Sequence, residues 1–297
     1  MSASTATSPT PSLYPILLMM IAMVSMPSGA ALAKSLFPMV GAQGTAALRL
    51  LFSALMLLAY FRPWRVRLTP SGWRVVLAYG LSLGMMNLLF YMSLRTIPLG
   101  IAVALEFTGP LTVALLSSRR FADFCWIILA AVGILLLIPR GAEVHTLDPT
   151  GMLLALGAGL CWALYIVFGR RAGLHHGTQT VALASTVATV VVLPFGFAQA
   201  GTGLFALEVL PWALGVAVLS SALPYALEIT VLSRIPVRVF GTLLSLEPVF
   251  AAFSGMLFLR ETLSLTQWAA IVAIVAASIG ITVGNRQPAK ARPKSKR

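Results

Sequence analysis

An all-α integral membrane protein is the fold class this sequence predicts, and three observations carry the prediction. Of 297 residues, 59% are hydrophobic and only 10% are charged, against about 25% charged in an ordinary soluble domain. Ten apolar runs reach the roughly 17–25 residues that a helix needs to span a bilayer. Those runs, such as F124-C-W-I-I-L-A-A-V-G-I-L-L-L-I138, do not alternate apolar with polar residues, as a membrane β-barrel would require. Backbone amides in lipid must be satisfied internally, so non-alternating spans are helices.

The spans follow one another as 13–33, 44–61, 73–94, 98–118, 122–139, 150–169, 179–199, 208–232, 236–258 and 264–284. The first resembles a secretory leader, with A31-L-A33 as a small-residue cleavage pattern, but residues 1–12 carry no basic side chain, so it is read as a retained span containing Pro27. The second holds Arg49 six residues in, read as a structural cation. The third presents Asn87 and Tyr91 on one face, being four residues apart, and carries G80-L-S-L-G84, a spacing that lets helices approach closely.

The fourth span poses the central question, because Glu106 sits near its middle with Pro110 four residues on. A charged side chain at mid-bilayer is costly unless it meets a partner or water. The proline ring clashes with the carbonyl four residues back, here that of Glu106 itself, so the helix is expected to open at this point. Freed backbone is tolerated where it lines a cavity. The fifth span contains Cys125; the sixth contains Cys161, with Trp162 and Tyr165 sharing a face. The eighth has Pro224, Tyr225 and Glu228, and the ninth repeats the device of the fourth with Glu247 beside Pro248. The tenth ends in G280-I-T-V-G284, a helix-contact spacing that admits a weak homodimer beside a monomer.

The net charge of +13 is distributed by topology. Sixteen of the 21 Lys and Arg fall in the even-numbered loops and the C-terminal tail; the odd loops hold Lys34, Arg95, Arg140 and Arg260, and Arg49 lies within a span. Cytoplasmic loops collect basic residues, which places both termini inside the cell. The tail A289-K-A-R-P-K-S-K-R297 then reads as an anchor near anionic lipid, with no nucleic-acid partner expected. No His or Cys cluster has ligand spacing, so neither a metal nor a cofactor is expected. An intramembrane enzyme would need paired aspartates, a Ser–His pair or a metal cluster, and the spans offer glutamates with only Asp123 at an edge. A channel or scaffold would not require a repeated chain.

The chain does repeat. A shift of 138 residues aligns Ile97-Pro98 with Ile235-Pro236 and Pro110 with Pro248, and it pairs Asp123 with Glu261. Five spans per half is an odd number, so the second half enters the membrane inverted. The expected organisation is a 1–12 cytoplasmic tail, a first repeat over 13–145, a second over 146–284 and a basic tail over 285–297.

Three stretches carry a resemblance to a known family: L48-R-L-L-F-S-A-L-M-L57, the block F90-Y-M-S-L-R-T-I-P-L-G-I-A-V-A-L-E-F-T-G-P-L111, and E247-P-V-F-A-A-F-S-G-M-L-F-L-R-E-T-L-S-L-T-Q-W268. They resemble the EamA type of the drug/metabolite transporter superfamily. Within it, V103-A-L-E-F-T-G-P, A222-L-P-Y-A-L-E and F240-G-T-L-L-S-L-E-P are most similar to the threonine and homoserine exporter subgroup. The resemblance implies ten helices in two inverted repeats, a central cavity, and outward movement of small amino acids across the bacterial inner membrane. The first half departs from the pattern at S117-S-R-R-F-A-D123, where the acidic residue arrives late. Same-fold transporters move other cargo, including aromatic amino acids, purines and drug-like cations, and fold does not choose among them.

An amino acid is a zwitterion, so a buried site must offer both a carboxylate and hydrogen-bond donors. Glu106, helped by Glu247 or Glu228, is expected to meet the ammonium. Broken helices with Asn87, Tyr91 or Tyr225 are expected at the other end, and Trp162 and Tyr165 are candidates for the wall. Pro27, Pro110, Pro224 and Pro248 are the expected bending points, and exchange of a proton for substrate is one route to coupling.

Overall fold

The computed structural model describes residues 13–63, 69–116, 123–137, 148–176, 179–232, 234–235 and 237–284. The expectations for both terminal tails and for the stretch 117–122 lie outside this set, as do those for the side chains of Asp123 and Tyr225. Every regular element among the described residues is helical.

The helices are α1 (Leu13–Ser35), α2 (Phe37–Phe61), α3 (Pro70–Ser93), α4 (Leu99–Glu106), α5 (Thr108–Leu116), α6 (Asp123–Leu137), α7 (Pro149–His176), α8 (Thr180–Ala200), α9 (Leu210–Ala217), α10 (Leu223–Leu232), α11 (Val237–Leu244), α12 (Glu247–Leu259) and α13 (Leu265–Gly284). A five-residue π-helical turn, Val218–Ala222, joins α9 to α10. Eight helical segments are long and apolar enough to cross a membrane, and Leu99–Val113 and Phe124–Leu137 are shorter apolar helices. Ten segments of expected position are therefore present among the described residues, but two fall short of the length set for a span.

Three of the expected spans are interrupted, each for a local reason. In the fourth, α4 ends at Glu106 and α5 begins at Thr108. Pro110 has no N–H to give the Glu106 carbonyl, while the Thr108 hydroxyl donates to the Leu105 carbonyl at 2.6 Å. In the ninth, α11 and α12 are separated by Ser245 and Leu246, just before Pro248. A shift of 138 carries the bounds of α4 onto those of α11 and the break at Phe107 onto Ser245. In the eighth, the interruption is the π turn ahead of Pro224.

The second span differs from its expected start. Its helix begins at Phe37, and Gly41 adopts φ 70°, which only glycine takes without strain. The amide of Gln43, orphaned by this kink, donates to the Gln199 Oε1 of α8 at 2.8 Å. Asp148 caps α7 by accepting from the amides of Thr150 and Gly151. Those bonds, the one from Thr150 foremost, hold its carboxyl below the usual carboxylate range.

The two halves interlock. Helix α3 packs on α7 and α8, α2 on α8, and α6 on α13; α1 packs on α10 and α12, while α7 packs on α4 and α5. Small residues make these approaches possible. Gly80 and Gly84 of α3 face Ala184, Val187 and Ala188 of α8, and Gly196 of α8 faces Ala47 of α2. Gly280 is covered by the Trp126 indole of α6, so this glycine of the last helix serves packing within the chain. Large apolar side chains such as Leu160, Val190 and Leu257 point outward, an arrangement suited to lipid as the surrounding solvent. At one end of the bundle Glu261 joins three helices: it pairs with Lys34 of α1 at 2.7 Å and accepts from the first amide of α4, that of Leu99, at 2.8 Å.

Candidate functional site

Where α1, α2, α3, α4, the π turn and α12 meet, they enclose a cavity. Its volume is about 60 Å³, against the roughly 10–15 Å³ on the same measure that one water needs. The wall is polar at Arg49, Asn87, Tyr91, Glu106, Ser220 and Glu247, and apolar at Met26, Pro27, Ala30, Met86, Phe90 and Val103. Both halves of the chain contribute, so the chamber lies between them.

Glu106 and Glu247 are buried and each follows from a helix break. Glu106 is the last residue of α4, and its carbonyl, released by Pro110, is approached by Gly159 of α7, where a Cβ would lie 2.7 Å from the oxygen. Glu247 is the first residue of α12, with Pro248 immediately after it. Neither carboxylate has a hydrogen-bonding side chain among the described residues. The charges of Glu247 and Arg49 both reach Glu106.

The π turn has a physical cause. Pro224 removes the amide that would serve the carbonyls of Leu219 or Ser220, depending on the register, and its ring crowds the latter. Both carbonyls find donors on the first half of the chain. Ser25 Oγ of α1 donates to the Leu219 carbonyl at 2.7 Å, and Arg49 Nη2 donates to the Ser220 carbonyl at 3.0 Å. The backbone of α1 comes close enough for this because Gly29 faces Ser220, and a Cβ there would lie 2.8 Å from the Ser220 amide nitrogen. Arg49 Nε also donates to Ser220 Oγ at 2.7 Å, and Nη1 donates to Asn87 Oδ1. Arg49 is therefore held between α3 and the second half of the chain. It does not snorkel toward an interface.

The sequence-derived site residues separate into two groups. Glu106, Glu247, Asn87, Tyr91 and Pro27 line the chamber. Trp162 instead sets its ring edge-on to Phe107, the residue at the α4–α5 break, with centroids 5.5 Å apart. Tyr165 packs tilted against Tyr79 with ring centroids 4.8 Å apart. These two aromatic residues thus form packing behind the chamber, because the α7 face they share turns toward α3 and α5. Glu228 is half-buried on α10 outside the lining, although its charge reaches Glu247. Pro110, Pro224 and Pro248 shape the breaks without lining the cavity. Ser220 was not among the sequence-derived candidates, and Arg49 was read only as structural. The signal for Ser220 was available: it stands four residues before Pro224, as Glu106 stands before Pro110.

Comparison with known proteins adds four findings. Residues 149–283 match the model of the EamA-like transporter family. The chain is 56% identical over 273 residues to the threonine/homoserine exporter RhtA of Salmonella typhimurium, covering 92% of each. It is 54% identical over 276 residues to the same exporter of Escherichia coli, covering 93% of this chain and 94% of that one. A crystal structure of another protein superposes with a TM-score of 0.58 at 20% identity, covering 92% of this chain and 98% of the other; at that identity it speaks to fold alone.

Proposed function

Because this chain belongs to the EamA-like transporter family, we propose that it exports small amino acids of the threonine and homoserine kind from the bacterial cytoplasm across the inner membrane. The observation that carries this reading is the chamber between the halves, which brings Glu106 and Glu247 together beside an immobilised Arg49. A site holding both signs of charge, largely shielded from bulk water, is complementary to a zwitterion. Its small volume favours a short side chain. Relatives named threonine/homoserine exporter, identical at more than half of the aligned positions, support the same cargo.

In this reading the chain crosses the membrane ten times as two inverted repeats over 13–145 and 146–284, with both termini cytoplasmic. The protein transports and does not catalyse. Glu106 and Glu247 receive the substrate ammonium, and the helix breaks at Pro110, Pro224 and Pro248, with Pro27 in α1, let the halves rock about the site. The Lys34–Glu261 pair and the Leu99 amide then lie at the outer end, so the observed conformation is latched on that side. Movement of a proton through Glu106 or Glu247 in exchange for substrate is the coupling we favour, and an imposed pH gradient in proteoliposomes tests it.

Efflux of L-threonine from cells producing the protein, measured beside homoserine and aromatic amino acids, tests the function itself. Glu106→Gln keeps the shape and removes the charge; its efflux is expected to fall at least about tenfold, the size of one lost charge-assisted contact. Glu228→Gln, outside the lining although its charge reaches Glu247, is expected to lose less efflux than Glu106→Gln. Undiminished threonine export by Glu106→Gln would remove that residue from the site.

A further inference from the structure

We infer that Arg49 is the receptor for the substrate's carboxylate, with the Tyr91 hydroxyl as its companion donor. The inference rests on the amino-acid reading above and deepens it. A guanidinium has five N–H donors. Arg49 uses three, toward Ser220 Oγ, the Ser220 carbonyl and Asn87 Oδ1. All three acceptors are neutral. Among the described residues Arg49 has no carboxylate within ion-pair distance, and the ion pair recorded there is the distant Lys34–Glu261. A permanent positive charge, 8% exposed and lining the cavity, thus keeps two donors for an anion.

A second observation points the same way. The Tyr91 hydroxyl is buried beside Ser220 and Arg49 and makes no well-formed hydrogen bond to either, the residue being 1% exposed. Its ring lies 5.7 Å from the Arg49 guanidinium carbon, and it lines the same cavity. Native proteins seldom leave such a donor unserved unless a ligand, water or ion completes it. The remaining N–H groups of Arg49 and the Tyr91 O–H belong to one cavity wall and suit the lone pairs of a carboxylate.

The arrangement is also held in advance. Asn87 Nδ2 donates to the Leu83 carbonyl at 2.9 Å, which turns Oδ1 toward Arg49. Ser220 Oγ donates to the Val216 carbonyl at 2.6 Å, which leaves its lone pair for Arg49 Nε. A guanidinium fixed from both sides loses little freedom when a ligand arrives. With Glu106 and Glu247 on the same wall, cation and anion sites face one chamber, and a molecule carrying both groups satisfies both.

The test is a cycle between protein and ligand. Affinities of the purified full-length protein in lipid nanodiscs are measured by calorimetry for L-threonine and for L-threoninol, in which a CH2OH group replaces the carboxylate. The parent is expected to bind threonine roughly 10–100-fold more tightly than threoninol, the usual range for a charge-assisted contact. Arg49→Gln is expected to bring threonine down to the level of threoninol and to leave threoninol within about threefold. Arg49→Lys, which keeps the charge without the planar fork, is expected to fall between them. Equal weakening of both ligands, or undiminished threonine binding by Arg49→Gln, would overturn the assignment. Should Arg49→Gln fail to fold, the parent and Arg49→Lys decide: equal affinity of the parent for the two ligands refutes the inference. A folded parent that neither binds nor exports threonine refutes the amino-acid reading itself, a different result from loss of the distinction between the two ligands.

Discussion

Placing a methyl group at Gly159 probes how closely α7 must approach the Glu106 break. A Cβ there would lie 2.7 Å from the Glu106 carbonyl oxygen and 3.3 Å from its carbonyl carbon and Cα. Backbone cannot rotate out of the way, so α7 or the α4–α5 corner must move; overpacking of this kind costs about 1–3 kcal/mol. Against it stands the helix preference of Ala over Gly, about 1 kcal/mol. Gly173 on the same helix supplies the control, because a Cβ there meets nothing within 4 Å. Gly173→Ala keeps the propensity gain and lacks the clash, so the difference between the two variants isolates the clash at about 1–3 kcal/mol. At roughly 2 °C per kcal/mol for a chain of this length, Gly159→Ala should unfold about 2–6 °C below Gly173→Ala in detergent. Its threonine efflux should fall while that of Gly173→Ala holds, since a shifted corner carries Glu106 with it. Equal melting of the two variants with parental efflux from both would refute the close approach of α7 to the site.

Three further outcomes follow from the same geometry. Pro224→Ala restores the missing amide and allows the π turn to wind as α-helix, so efflux should drop with stability unchanged or raised; full efflux would show that Arg49 does not need the Ser220 carbonyl. Ser25→Ala leaves the Leu219 carbonyl without its donor and should destabilise by about 1–3 kcal/mol, read by the same melting experiment; no loss would mean that another donor reaches it. Glu261→Gln weakens the joint of α1, α4 and α12. A cysteine placed at Met26, in a background lacking Cys125 and Cys161, should then react faster with an impermeant thiol reagent added outside, and an unaltered rate would remove the latch.

Much of the architecture was legible because it depends on local chemistry. Apolar length makes spans wherever it occurs. Pro110 and Pro248 lack the amide that would continue their helices, and the breaks before them place Glu106 and Glu247 at helix ends where a chamber can form, whereas Pro27 and Pro194 sit inside continuous helices. Other features were not legible in this way. Trp162 and Tyr165 share a face of α7, as their spacing requires, yet that face meets Phe107 and Tyr79, and spacing carries no information about which neighbour a face will meet. The glycines at 80, 84 and 280 marked close contacts, and only the assembled bundle shows their partners to be α8 and α6.

By itself the sequence determined a helical membrane chain with a 138-residue repeat, two proline-broken helices with buried acids, and a resemblance to exporters of the EamA type. Tertiary structure alone decided that Arg49 faces inward, that Ser25 and Arg49 serve the carbonyls released by Pro224, and that Glu228 stands outside the chamber. The physical reason is reach. Hydrophobicity and proline act within a turn or two of their own position, whereas the partner of a long cation or a freed carbonyl depends on how far each helix is rotated and how nearly its neighbour approaches.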